Sequence, residues 1–351
     1  MVVSTRKWLA LGVCLVLVLS LFAVGCSSGK QATPAPGNEP AKQDKKISVV
    51  YIPKNTGNPY FDSIIKGFKT ASEELKFEFT TVAPSTAEAT SQLPFIKEQI
   101  QRGVSVIAIS PNSPDALNPV FKEAMGKGIK VLVVNSDIPG SESYRDAAVL
   151  PMDFSITGKS QVELMASLIE SKGKIAILSA TTDAPDQNFW IKGMKETLKD
   201  PKYKDMQLVE VAYGNDDPQK SLTEAEGLLT KYPDLRGIIS PTTVGVAAAA
   251  QAVESAKRAP KVQVTGLGTP NQMRRFIKNG TVTAFALWSP YDEGYLSGYL
   301  AVGMAKGEIK PGEGSKFKVS GLGDRQFGKN NVIITGPPTV FNKDNIDQFD
   351  F

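Results

Sequence analysis

Residues 131–140 read VLVVNSDIPG: four aliphatic residues, then at once Asn135, Ser136 and Asp137, and after Ile138 a proline and a glycine. An apolar run this short, bounded by turn residues, reads as a strand buried on both faces. Strands of that kind belong to parallel sheets covered by helices, so the pattern should recur along the chain. Comparable runs stand at 47–52, 77–82, 104–109, 129–134, 173–178, 207–211, 237–240, 261–266 and 282–287. Between them the spacing of apolar residues is helical, at 59–75, 88–102, 114–127, 155–171, 187–199, 218–231, 243–257, 270–279 and 290–306. The expectation is an α/β protein with two successive runs of βα units and a seam near 147–153. About three hundred residues of this kind are more than one core usually holds, which argues for two lobes.

In open parallel sheets ligands bind beyond the carboxyl ends of the strands, so the polar residues found there carry the functional reading. The first run supplies Pro53 to Phe61 (PKNTGNPYF), Ser110 to Asp115 (SPNSPD) and Asn135-Ser136-Asp137. From the second come Thr182 to Trp190 (TDAPDQNFW), Ser240-Pro241-Thr242-Thr243, Gly268-Thr269-Pro270-Asn271 and Trp288-Ser289-Pro290. Amides, hydroxyls, carboxylates and rings on two facing lobes suit a small polyol. Asp186 is the first candidate to accept from two adjacent hydroxyls, and Gln187 adds a donor and an acceptor. Lys54 would donate from the opposite lobe when a cleft shuts, Pro241 would offer its backbone carbonyl, and Phe61 and Trp288 could cover an apolar ligand face.

Plainer readings stand beside these. Asp186 opens a helical segment and could be only its N-cap. Lys54 could be a solvated loop lysine, Trp190 packed core, and Phe61 and Trp288 supports of the cleft rather than its lining. Asp137 is the deputy carboxylate for Asn135, or else caps the turn at Pro139-Gly140.

Composition removes other mechanisms. The chain has no histidine, which excludes Ser-His-Asp triads, Cys-His pairs and His-ligated zinc. Its two cysteines, Cys14 and Cys26, both precede the folded part, leaving no disulfide, thiol nucleophile, cysteine metal cluster or metal site to expect there. A formal charge of +4 without a long basic run makes no case for nucleic acid. Thr157-Gly158-Lys159-Ser160 imitates the end of a phosphate-binding loop, but Asp153 occupies the upstream glycine position. Gly266-Leu267-Gly268 lacks the third glycine of a dinucleotide motif.

Arg6 and Lys7 precede an apolar run from Trp8 to Gly25, the layout of a secretory signal peptide, with an uncleaved anchor as the rival. Ala23-Val24-Gly25-Cys26 resembles the lipobox of bacterial lipoproteins, with Ala23 where leucine is commoner. That resemblance implies a signal peptide over 1–26 and a lipid on Cys26. Residues 27–46 have almost nothing to bury and are expected to form a disordered stalk.

IPKNTGNPYFDSIIKGF, ISPNSPDAL, VVNSD, DQNFWIKGMKE, GLGTPNQMR, the Leu287-Trp288 pair and the C-terminal VFNKDNIDQFDF resemble the type I periplasmic sugar-binding proteins of ABC importers. Within that family the autoinducer-2 receptors, and next the rhamnose-binding proteins, are the most similar. The resemblance implies two Rossmann-like lobes joined by three crossing hinge strands, 47–150 and 288–325 in the first and 151–287 and 326–351 in the second. It further implies a monomer outside the cytoplasm, no cofactor, and an ABC permease as partner. Its ligand residues map onto Lys54, Asp186, Gln187 and Pro241. Asn135 stands where an aspartate is usual and Thr243 where an alanine is. Two other classes compete: a sugar-acting enzyme, disfavoured by the missing histidine, and a ligand-sensing regulator, which should carry a DNA-binding segment where this chain has a lipobox.

Overall fold

The computed structural model describes residues 46–351; the expected signal peptide, Cys26 and the stalk up to residue 45 lie outside the described residues. From β1 (Ser48–Ile52) the chain runs through α1 (Pro59–Leu75), β2 (Glu78–Thr81), α2 (Leu93–Arg102), β3 (Val106–Ile109), α3 (Asn118–Gly126), β4 (Lys130–Val134) and β5 (Ala147–Leu150). β1, β3, β4 and β5 are apolar and buried almost throughout, as strands flanked by helices on both faces must be. A second run follows: α4 (Phe154–Ile169), β6 (Gly173–Ser179), α5 (Pro185–Thr197), β7 (Met206–Tyr213), α6 (Pro218–Lys231), β8 (Leu235–Ser240), α7 (Thr243–Ser255), β9 (Gln263–Gly266), α8 (Pro270–Lys278) and β10 (Phe285–Leu287). The chain closes with α9 (Pro290–Lys306), β11 (Lys316–Val319), β12 (Gly323–Gln326), β13 (Val332–Ile334) and β14 (Thr339–Phe341).

The first sheet has the order β13-β5-β4-β3-β1-β2 and the second β7-β6-β8-β9, with every pairing parallel. In both, the first strand of its run lies inside, flanked by the next two strands. Strand order therefore reverses between β1 and β3 in one lobe and between β6 and β8 in the other. Each reversal opens a crevice at the carboxyl ends of the strands, the place where such sheets hold ligands.

The stretch 326–351 divides between the lobes rather than lying wholly in the second. β13 pairs with β5 and extends the first sheet, while β14 pairs antiparallel with β10 beside the second. Three backbone crossings result, between β5 and α4, between β10 and α9, and between β13 and β14. At the seam, Ala147–Leu150 is itself a strand of the first sheet. The end of the chain packs on α8: Asn271 N–H donates to Phe351 O at 3.0 Å, and Lys278 pairs with Asp347 at 2.8 Å.

Two helix pairs touch backbone to backbone across glycines. A Cβ on Gly67 of α1 would stand 2.1 Å from Tyr291 O of α9, and one on Gly158 of α4 would stand 2.3 Å from Trp190 O of α5. The phosphate-loop imitation at 157–160 is thus a helix-packing contact. These contacts hold α1 and α5, whose amino ends carry much of the site, against their neighbours.

Candidate ligand-binding site

A cavity lies where the two crevices meet. Its wall includes Lys54, Phe61, Asn135, Asp186, Gln187, Pro241, Thr243 and Trp288, eight of the nine residues expected from the sequence.

Lys54 leaves the end of β1 on a loop held from below by Gln92. This fully buried amide donates to Pro53 O at 2.9 Å and Ser110 O at 2.8 Å and accepts from Asn112 N–H at 3.0 Å; Asn112 Nδ2 then donates to Lys54 O at 2.9 Å. The lysine is no solvated loop residue: it is 3% exposed, and Nζ donates to Asp186 Oδ1 at 2.7 Å across the cleft. Pro185 begins α5, with Ala184 at the cap position making no side-chain cap bond, so Asp186 serves the ion pair rather than capping the helix. An acidic residue in the first turn is also favoured by the helix dipole.

Gln187 is more restricted than its side chain suggests. Its carbonyl oxygen accepts from Ser179 Oγ at 2.7 Å and Ala180 N–H at 2.8 Å, leaving only the Nε2 donors for a ligand. Trp190 both packs, ring edge to face with Phe154 at 5.2 Å, and lines the cavity; its indole N–H has no partner among the described residues. Phe61 and Trp288 are buried and face the cavity.

Asn135 sits at φ 67°, in the left-handed region where asparagine is enriched, as the chain leaves β4. Its Nδ2 lies 3.4 Å from Asp186 Oδ2. Thr243 donates to Asn58 Oδ1 at 2.9 Å, another bond between the lobes. Asn58 also caps α1 by accepting from Tyr60 N–H at 3.1 Å.

Asp137 lies outside the cavity. Arg145 Nε and Nη2 donate to its two oxygens at 2.6 and 2.7 Å, and Ile138 N–H donates at 2.8 Å. Arg145 is itself buried, and a buried guanidinium needs a bidentate carboxylate, so the deputy acid is taken.

Other contributors carried no assigned ligand role in the sequence. Asn58, Tyr60, Asp216 and Thr242 line the cavity, with Leu267 and Leu287 adding apolar surface. Asp216 accepts from the Thr242 hydroxyl. Burial raises its pKa chiefly, against that bond and Lys54, with Asp186 raising it further. Behind the wall, Glu293 of α9 is fully buried, and its carboxyl is pushed up to about 8, first by burial, against the Tyr60 contact and the Asn135 backbone. Asp186 adds to that rise and Lys54 opposes it. Burial likewise raises Tyr60 and Tyr51 well above the ordinary tyrosine value. Tyr60 and Asn58 stood within the collected loop 53–61 without a role, and Asp216, just beyond the end of β7, could have been collected in the same way. Glu293, in the first turn of α9, drew no reading from the sequence.

The wall interleaves acceptors (Asp186, Asp216) with donors (Lys54, Gln187, Trp190) among rings, a pattern that matches hydroxyl-rich ligands. Among the described residues no group of three or more metal-ligating side chains is placed to hold an ion, and no helix is long and apolar enough to cross a membrane.

Comparison with known proteins agrees with this architecture. Residues 49–309 match the periplasmic binding protein domain. The chain belongs to that family, and within it to the solute-binding proteins of sugar ABC transporters, whose members act outside the cytoplasm, bind small sugars and work with permeases. The matched relatives are sugar-binding transport proteins, not enzymes. A sugar ABC transporter structure from Actinomyces odontolyticus is 41% identical, covering 87% of this chain and 98% of its own, with a TM-score of 0.69. A solute-binding protein from Clostridium phytofermentas with bound L-rhamnose is 30% identical over 86% and 98%, TM-score 0.83. LsrB from Clostridium saccharobutylicum in complex with AI-2 is 25% identical over 87% and 100%, TM-score 0.82.

Proposed function

We propose that this chain is the lipid-anchored, monomeric receptor of an ABC importer, that it shuts its lobes on a small cyclic polyol, and that autoinducer-2 is that polyol. The observation that carries the reading is the buried Lys54–Asp186 pair, which joins the two lobes at the cavity wall. A vicinal diol can accept from Lys54 and donate to the free lone pairs of Asp186, while Gln187 Nε2 and the Pro241 carbonyl meet further hydroxyls. Lys54, Asp186, Gln187 and Pro241 support autoinducer-2 because they match the pattern of its receptors.

L-rhamnose is the second reading. It is favoured by the departure at Asn135 and by the higher identity to the rhamnose-bound structure. The full chain, purified in detergent, is denatured and any released ligand identified; calorimetry with autoinducer-2, L-rhamnose, ribose and xylose then ranks them. Saturable rhamnose binding with no response to autoinducer-2 would reverse the choice. Membrane attachment is tested by Cys26→Ser, expected to move the protein from the membrane to the soluble fraction.

A further inference from the structure

At the cavity wall three polar side chains, Trp288, Asn135 and the more deeply placed Glu293, meet at one oxygen, the phenolic oxygen of Tyr60. Tyr60 Oη lies 2.6 Å from Trp288 Nε1, 2.7 Å from Asn135 Oδ1 and 2.7 Å from Glu293 Oε2. Hydrogen-bonding capacity decides where the protons are. The indole can only donate, so Tyr60 Oη accepts from Trp288. Asn135 must turn its NH2 toward Asp186, because that carboxylate can only accept, and its Oδ1 is therefore the atom facing Tyr60. An amide oxygen never donates, so the one phenolic proton goes to Asn135. Glu293 Oε2, at the same distance from Tyr60 Oη, must then bring a proton of its own.

The surroundings agree with a neutral acid. Glu293 is fully buried, its other oxygen has no hydrogen-bond partner, and it makes no ion pair among the described residues. A carboxylate so placed would bear an uncompensated desolvation penalty. The groups facing it are Tyr51 of β1, Lys54 beyond β1, Tyr60 of α1 and Asp186 of α5. β3 and β5, also packed against α9, have the sequences VIAI and AAVL and carry no ionisable side chain. Lys130, at the far end of β4, pairs with Asp146.

We propose that Glu293 is a positioning residue, held as the neutral acid, that through Tyr60 fixes the Asn135 amide with its NH2 toward the cleft. The ligand group meeting Asn135 is therefore a hydrogen-bond acceptor, such as a ring or hydroxyl oxygen. Ionising Glu293 draws the phenolic proton to its carboxylate and sets Tyr60 Oη against Asn135 Oδ1, lone pair to lone pair. The amide can escape only by presenting its oxygen to Asp186. Ligand binding is thus coupled to the protonation of a residue that does not touch the ligand. The proposal rests on the sugar-binding reading of the cleft.

Two measurements on the full chain in detergent test it. Infrared difference spectra between wild type and Glu293→Gln should show a carboxylic-acid carbonyl band near neutral pH that disappears with a midpoint near 8. Calorimetry with L-rhamnose and autoinducer-2 should show wild-type affinity falling about tenfold one pH unit above that midpoint, where about a tenth of the molecules keep the acid. Glu293→Gln, whose amide N–H replaces the acid proton, should bind independently of pH over that range and more tightly than wild type at the alkaline end. Glu293→Leu, with no donor, should bind more weakly than Glu293→Gln throughout. Absence of the acid band, or an equal alkaline loss in Glu293→Gln, overturns the proposal. Failure of both sugars to bind at any pH instead overturns the choice of ligand, and the infrared result still decides the state of Glu293.

Discussion

Lys54 Nζ and Asp186 Oδ1 meet at 2.7 Å from opposite lobes, each side chain less than 5% exposed. The contact spans the two lobes, so its energy bears on how they meet rather than on the folding of either lobe. Replacing Asp186 by alanine leaves the lysine charge buried and unpaired, a loss of about 3–5 kcal/mol. Affinity should therefore drop by at least about a hundredfold, at roughly 1.4 kcal/mol per tenfold. Calorimetry paired with thermal melting checks this. Near-normal affinity, or a collapse of the melting temperature, would remove Asp186 from the proposed role.

Thr243 and Asn58 form a further interlobe bond, between neutral groups. A neutral hydrogen bond is worth about 0.5–1.5 kcal/mol, so Thr243→Ala should weaken every ligand by a few-fold and leave their order unchanged. A change in the ratio of autoinducer-2 to rhamnose affinity would show instead that Thr243 touches the ligand.

Glu293 also links stability to pH. Its carboxyl is raised from 4.5 to about 8 in the folded chain, so between those values the folded state holds the proton that the unfolded state has lost. The contribution is complete below the unfolded value and is lost as pH rises toward about 8, with a slope of up to about 1.4 kcal/mol per pH unit. Denaturant unfolding at acidic and alkaline pH should show the wild type losing more stability than Glu293→Gln. Parallel losses in the two chains would contradict the assignment.

Gly67 and Gly294 let α1 and α9 touch: their added Cβ atoms would lie 2.1 Å from Tyr291 O and 2.0 Å from Ile64 O. Either alanine substitution should destabilise by about 1–3 kcal/mol through overpacking. Gly227 in α6 has nothing within 4 Å of its Cβ position, and Gly227→Ala should be stabilising by up to about 1 kcal/mol. Urea midpoints of the three variants separate helix contact from simple helix propensity. Similar shifts in all three would rule out the contact.

VLVVNSDIPG shows how far local pattern reaches. The alternation of buried strands and helices is a one-dimensional signal, because a strand covered on both faces must be apolar at every position. It made the α/β class and the strand-end loops legible, and with them Lys54, Asp186 and Pro241. Short strands formed late in the chain carry little such signal: β13 is three residues long and joins a sheet begun almost three hundred residues earlier.

Asn135 and Asp137 mark the same boundary within one loop. The sequence by itself determined that polar side chains end the strand, since residue type and position are read directly. Only the tertiary structure decided that Arg145 takes Asp137 and that Tyr60 and Glu293 orient Asn135, because those partners come from other elements. Burial of Glu293, beside the helix contact at Gly67 and Gly294, makes a neutral donor of a side chain whose type alone suggests a charged acceptor. Desolvation depends on what packs around a group, and that is a property of the fold.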